Sequence, residues 1–278
     1  MHTCFHGKYV KDKFGSANGP DLFKKVREKI VEFDEARGKQ LAKVKQTASG
    51  ETIAICDEFN HRVHETILAA CFWRLFIVDA TSNLDHSDTK LFHLMCPSPI
   101  GGLPLGTIIT TKADQLTLSE ALDLYKTLIN NNSFYGRGVN LGQVLTITDD
   151  DSAERNAISY AWSQTILLLC QFHLLKAIWD WLWKASHKIE HGDRPNLLNL
   201  FKKIVYAENS EDFNTLIENM KCDETYNRYE NFKEHIERKV LPRYKEWSLK
   251  ERIENSLPNH NQNTTNYVEY SFRMTKDV

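Results

Sequence analysis

Apolar residues recur at two different spacings along this chain, and the change in spacing separates helical from strand-rich parts. Over 21–45 they return at every third or fourth position, which predicts an amphipathic helix, and a second helix is predicted over 57–70. The run Leu75–Val78 is continuously apolar and stops at Asp79, a pattern typical of a buried strand. A helical N-terminal region therefore gives way to a sheet near residue 71.

Short apolar runs and turn residues alternate over the next hundred residues. The predicted elements are strands over 75–78, 91–95 and 105–110, a helix with a capping box from Thr117 to Glu120, a strand over 144–147, a helix from Asp151 and a strand over 166–169. This order, β-β-β-α-β-α-β, is that of the RNase H-like fold. The predicted fold class is therefore α/β, with a mixed five-stranded sheet.

Helical spacing dominates the chain after Cys170. Helices are predicted over 174–183, from Asp193, from a cap at Ser210 and over 226–252, and Trp181 is expected to join the core. A last helix begins at residue 266. The predicted organisation is an N-terminal helical region (1–70), an RNase H-like core (71–172), an all-helical insertion (173–257) and the start of a last core helix (258–278).

Composition and charge narrow the class of protein. The chain has 278 residues, 41% of them hydrophobic and 26% charged, which is ordinary for a globular protein. Its net charge of −2 argues against a dedicated DNA-coating protein, which would be strongly basic. No apolar run is long enough for a bilayer span, so no membrane partner is expected. The six cysteines form no CxxC pair, which favours free thiols in a reducing compartment.

Three acidic residues occupy positions suited to phosphodiester chemistry. Asp79 ends the first predicted strand and Asp149 ends the fourth, and these strands are neighbours in the RNase H-like fold. Glu269 lies on the last helix, beyond the insertion. Carboxylates gathered at one place can hold two divalent ions, Mg²⁺ or Mn²⁺, for an in-line displacement at phosphorus.

Each of these acids also has a purely structural interpretation. Asp is common where a strand turns, so Asp79 can be a turn residue. The run 149–151 precedes a helix, where Asp caps, and this capping role is assigned to Asp150 or Asp151. The spacing from Asn266 to Glu269 is itself that of a capping box. Spacing alone leaves both interpretations open.

Five stretches of the chain resemble the transposase domain of Mutator-like elements. They are FIVDATSNLD (76–85), GGLPLGTIITT (101–111), FYGRGVNLGQVLTITDDDSAERNAI (134–158), LLLCQFHLLKAIWDWLW (167–183) and NTTNYVEYSFRMTKD (263–277). The similar region runs over roughly 55–278, in the order that the family has. The resemblance implies an RNase H-like DDE domain that cuts and joins DNA with two metal ions.

The resemblance also assigns residues to roles. Asp79 corresponds to the family's first catalytic Asp and Asp149 to the second, with Asp150 as the less favoured neighbour. Glu269 corresponds to the catalytic Glu. The family's C-x-x-H motif maps onto Cys170 and His173, which are accessory metal-ligand candidates here. Because two ligands make only half of a zinc site, a buried Cys and a His at a helix start are the alternative interpretation of this pair.

Partners and compartment follow from the resemblance alone. It implies DNA as partner, a homo-oligomer that holds two element ends together, and a nuclear location. The family has an N-terminal zinc finger and a longer last helix, and this chain has neither, which predicts a shortened domain. Two alternatives to an active transposase therefore stay open: an inactive or domesticated DNA-binding protein, and a stand-alone RNase H-like nuclease.

Overall fold

The fold was analysed in a computed structural model, which describes residues 20–47, 50–66, 75–81, 89–98, 101–257 and 263–276. Two compact units divide these residues. The first comprises the described residues up to 144 together with 151–165 and 266–276, and the second comprises 145–150 and the described residues of 166–265. Within the described segments, no helix combines the length and the apolarity needed to cross a bilayer.

Seven strands alternate with helices along the chain. The strands are β1 (Ala42–Gln46), β2 (Glu51–Ile55), β3 (Leu75–Thr81), β4 (Lys90–Ser98), β5 (Gly101–Thr110), β6 (Leu145–Thr148) and β7 (Ile166–Leu169). The helices of the first unit are α1 (Pro20–Arg37), α2 (Glu58–Thr66), α3 (Gln115–Lys126), α4 (Gly138–Leu141), α5 (Ser152–Ala161) and α13 (Asn266–Lys276). Those of the second unit are α6 (Gln171–Trp183), α7 (Arg194–Val205), α8 (Ser210–Cys222), α9 (Glu224–Arg228), α10 (Glu230–His235), α11 (Tyr244–Trp247) and α12 (Leu249–Glu254).

The strands of the first unit form a sheet in the order β1-β2-β5-β4-β3. In the first unit β1 pairs with β2, β2 with β5, β5 with β4 and β4 with β3, all antiparallel. In the second unit β6 and β7 run parallel and are joined through α5. The α/β class is confirmed, and the prediction of five strands is wrong because β1 and β2 add two.

The two added strands lie where the sequence predicted helix. The predicted helix over 21–45 ends at Arg37, and residues 42–46 pair with 51–55 instead, so a helical region over 1–70 is wrong for these two segments. Lys43 and Lys45 occupy the outermost strand of the sheet, where lysines discourage pairing with another chain. Their ammonium groups reach Thr127 Oγ1 (2.8 Å) and Glu120 Oε1 (3.5 Å). The helix predicted over 57–70 is confirmed for α2, and residues 67–70 lie outside the described residues.

The strands and helices over 75–169 follow the predicted order, apart from the one-turn helix α4. The predicted cap of α3 is wrong, since the cap is Asp114, whose carboxylate accepts a hydrogen bond from the Thr117 backbone N–H at 3.0 Å. Asp151 caps α5 by accepting from the Glu154 N–H at 2.8 Å, which confirms one of the two predicted caps. Asp149 and Asp150 therefore lie outside the helix.

Apart from β6 and β7, the second unit is helical around one hydrophobic core. Leu174, Ile178 and Leu182 line the buried side of α6 at four-residue spacing, so Leu182 rather than Trp181 continues the series. Trp181 is only partly buried and stacks on His187, with ring centroids 3.7 Å apart. The predicted helix over 226–252 is broken by a π-helical turn (236–240) and a 3₁₀ turn (241–243), and α8 is capped by Asn209 rather than Ser210.

Candidate metal centre

Side chains alternate between the two faces of the sheet, and this alternation decides on which face Asp79 lies. Val78 and Leu94 lie opposite each other in β3 and β4, and both line a small apolar cavity under α3 and α5. The next residues along these strands, Asp79 and His93, are also paired and therefore project from the other face. Asp79 is buried, with 6% of its surface exposed, and its carboxylate accepts a hydrogen bond from the Ala80 N–H at 2.8 Å.

Helix α13 brings Glu269 to the same face. Val268 and Phe272 are buried one turn apart, and Glu269 lies between them in the first helical turn, where the helix dipole favours a negative charge. The helix approaches the sheet closely because β5 begins with glycines. A Cβ atom on Gly102 would lie 2.7 Å from the Cβ of Tyr267, so a larger residue would push the start of α13 away.

The carboxylates of Asp79 and Glu269 meet at this place. One carboxylate oxygen of Asp79 and one of Glu269 lie within 4.8 Å of each other. Such a pair can hold a metal ion. The two carboxylates fit a divalent cation, because carboxylate oxygens suit Mg²⁺ and Mn²⁺. Two like charges this close, one of them on the buried Asp79, also favour a bound cation.

His173 and Cys170 lie at the start of α6. The Oγ1 of Thr265 is 3.5 Å from His173 Nδ1 and 3.6 Å from the Cys170 sulfur. Burial raises the pKa of the Cys170 thiol, but hydrogen bonding with His173 and Thr265 outweighs burial and holds this pKa below its usual value. Both residues of the C-x-x-H motif are therefore linked to Thr265 within the second unit.

Asp149 and Asp150 follow β6 in the second unit. Asp149 is half-buried. Asp150 is held by a two-point ion pair with Arg243, whose Nη1 and Nη2 donate to its two oxygens at 3.0 and 2.7 Å. Arg243 also contacts Glu246, at 2.8 Å. Asp150, a predicted accessory ligand, is thus an anchor for the loop that carries Asp149.

His93 is a residue of this site that the sequence analysis missed. Its ring packs on Phe272 of α13, with centroids 5.0 Å apart, and burial lowers its pKa. The nearest signal in the sequence is a histidine inside the apolar run Phe92–Leu94. That signal does not separate a site residue from a core residue, and only the strand register places His93 beside Asp79.

Comparisons with known proteins add no family to this geometry. A scan against protein-family models gives no match, and a search of the curated proteins gives none either. The function is therefore inferred from the chemistry of the site and from the sequence resemblance.

Proposed function

We propose that this chain is the catalytic domain of a metal-dependent DNA transposase of the Mutator-like kind, with an RNase H-like fold. The observation that carries the proposal is the meeting of Asp79 on β3 and Glu269 on α13, with carboxylate oxygens within 4.8 Å. These residues are 190 positions apart in the sequence, and each was predicted as a member of the acidic triad. Asp149 would be the third member.

Burial and charge explain why a cation belongs at this pair. A carboxylate taken out of water is costly unless hydrogen bonds or an opposite charge compensate it, and two such groups side by side repel each other. Asp79 and Glu269 would hold the metal. When bound, divalent ions activate the attacking oxygen and stabilise the leaving oxygen of a phosphodiester.

The chain's own residues supply positioning. The Ala80 N–H fixes the rotation of the Asp79 carboxylate, and the buried neighbours Val268 and Phe272 fix which side of α13 carries Glu269 to the sheet. Rigid elements hold ligands better than loops do, because a strand and a packed helix restrict the side chain's backbone. DNA as substrate, assembly as a homo-oligomer and a nuclear location are proposed with the transposase assignment and rest on the sequence resemblance.

Metal binding and DNA nicking test the proposal directly. The full chain would be titrated with Mn²⁺ by calorimetry, and supercoiled plasmid DNA would be incubated with it in Mn²⁺, in Mg²⁺ or in EDTA. Asp79→Asn and Glu269→Gln should each weaken Mn²⁺ binding at least about tenfold, since each removes a charged ligand, and should abolish nicking. Asp149→Asn should abolish nicking as well.

Two surface substitutions serve as matched controls. Asp180→Asn and Glu218→Gln make the same chemical changes at exposed helical positions and should leave Mn²⁺ binding and nicking unchanged. Unaltered Mn²⁺ affinity in both Asp79→Asn and Glu269→Gln would refute the metal centre. A wild-type chain that binds Mn²⁺ and DNA but never nicks would identify an inactive DNA-binding relative. Nicking without joining of a DNA end to target DNA would identify a stand-alone nuclease.

A further inference from the structure

We propose that His93 is a substrate-binding residue of this site, and that its Nε2–H donates a hydrogen bond to an oxygen of the substrate phosphate. The proposal rests on the function proposed above, which supplies the phosphodiester. Four observations within the first unit support it: strand register, contact with α13, the hydrogen bond at Nδ1 and the surroundings of Nε2.

Register places His93 in a row of polar residues across three strands. His93 in β4 is paired with Asp79 in β3 on one side and with Thr107 in β5 on the other. Residues paired in this way project from the same face of a sheet. Asp79, His93 and Thr107, termed here the polar row, therefore share one face, and the His93 ring contacts Phe272, three residues after Glu269 on α13.

The two ring nitrogens of His93 have different surroundings. Nδ1 lies 3.3 Å from the Thr107 hydroxyl, which has a proton to donate. Nε2 is buried, and no group in the described part of the chain is within hydrogen-bond distance of it. Buried polar atoms are nearly always hydrogen-bonded, so a lone one beside a candidate site indicates a partner that arrives with the ligand. When Nδ1 accepts from Thr107, the neutral ring carries its proton on Nε2, which is then a donor.

A phosphate oxygen is the partner that fits this donor. The carboxylates of Asp79 and Glu269 accept hydrogen bonds and repel a phosphodiester, so the site needs donors as well as a cation to hold the substrate. A hydrogen bond from an N–H to a charged oxygen is stronger than a hydrogen bond between two neutral groups. His93 would supply that donor, while Thr107 fixes the tautomer.

Two amide substitutions separate this role from a structural one. His93→Gln places an amide nitrogen at the ε position and keeps the donor, whereas His93→Asn places it at the δ position and loses it. Binding of a short fluorescein-labelled DNA duplex would be followed by anisotropy in Ca²⁺, and Mn²⁺ affinity by calorimetry without DNA. The Asn variant should bind the duplex about tenfold more weakly and the Gln variant within about threefold of wild type. Both should bind Mn²⁺ as wild type does.

Each other outcome refutes the proposal in a distinguishable way. Equal duplex binding by wild type, Gln and Asn variants would remove His93 from the substrate site. Equal weakening in both variants would assign it a packing role, and loss of Mn²⁺ affinity would make it a ligand instead. If the wild-type chain binds no Mn²⁺, the proposed function itself fails and this proposal fails with it. A long-range ¹⁵N spectrum supplies an independent check, since a proton on Nδ1 in the DNA-free protein would contradict the tautomer.

Discussion

Two histidines of the first unit, the buried His64 and the half-buried His93, differ in their hydrogen bonding. His64 Nε2 lies 2.7 Å from the Tyr125 hydroxyl and 3.1 Å from the Leu105 carbonyl oxygen, and its Nδ1 accepts from the Phe134 N–H at 3.3 Å. Among the described residues, His93 has a hydrogen-bond partner at Nδ1 only. Burial lowers the pKa of both, that of His64 to about 4. A histidine whose two ring nitrogens are both hydrogen-bonded is typical of a structural residue. A ring nitrogen that lacks a hydrogen-bond partner and lies beside two carboxylates is typical of a functional site.

The largest expected effect on stability comes from removing His64, whose two ring nitrogens are both hydrogen-bonded. His64→Ala leaves a cavity and a buried Phe134 N–H without an acceptor, so the free energy of unfolding should fall by about 4 kcal/mol. Urea denaturation measures the change. His61→Ala is the control, because the His61 ring is also buried but neither of its nitrogens has a partner among the described residues. An equal loss of unfolding free energy in His64→Ala and His61→Ala would show that the hydrogen bonds of His64 do not contribute to stability.

Acid should destabilise the protein through His64. Its pKa is about 4 in the folded chain against 6.5 as the ordinary value, so below pH 6.5 the unfolded chain binds more protons. The stabilisation is complete above pH 6.5 and is lost as pH falls towards 4, by about 3 kcal/mol in total. Urea denaturation at several pH values, for wild type and His64→Gln, isolates this contribution as the difference between their slopes. Parallel curves would show that His64 does not titrate as its burial requires.

Addition of Mn²⁺ tests the carboxylates of Asp79 and Glu269, which form the candidate site beside His93. At Mn²⁺ a hundredfold above its Kd, the free energy of unfolding should rise by about 2.7 kcal/mol through mass action. The rise should vanish in Asp79→Asn and persist in the exposed control Asp180→Asn. Thermal denaturation with and without Mn²⁺ measures it, and persistence of the rise in Asp79→Asn would move the metal elsewhere.

The smallest effect is expected from filling the position of His93 with an apolar ring. His93→Phe removes a buried nitrogen that lacks a partner and keeps a ring against Phe272, so the free energy of unfolding should stay within about 1 kcal/mol of wild type. Urea denaturation checks this, together with duplex binding, which should weaken as in His93→Asn. A large destabilisation would make His93 a structural residue like His64.

The local spacing of apolar residues predicted many of the helices and strands. It missed the features that depend on contacts with distant parts of the chain. The strand over 75–81, the helix over 266–276 and the helical character of the second unit agree with apolar runs and helical spacing. Strands β1 and β2 were missed because 42–46 also continues a helical spacing, and only pairing with β5 through β2 gives the segment a sheet to join. Trp181 was misplaced for a similar reason, since one residue of helical rotation separates it from the buried position of Leu182.

The residues of the candidate site also divide into those that the sequence predicted and those whose role depends on distant contacts. Asp79 was predicted from its place at a strand end, Glu269 from its place on the last helix, and both from the resemblance; their carboxylates meet in the folded chain. Asp150 was predicted as a ligand candidate, but its ion pair with Arg243 depends on a helix 93 residues away and leaves no local trace. His93 carries no signal of its own, because a single histidine within an apolar strand is as common in cores as in sites.

By itself the sequence determined the α/β class, the apolar runs and faces of most strands and helices, and the acidic residues that are candidates for binding a metal. These depend on periodicities of two and of about 3.6 residues, which are local properties of the backbone. Only the tertiary structure decided which polar groups share a face and which keep a partner. Register sets His93 between Asp79 and Thr107, and both ring nitrogens of His64 have hydrogen-bond partners, whereas His93 Nε2 has none in the described part of the chain. Those pairings join residues far apart in the chain, so no local pattern specifies them.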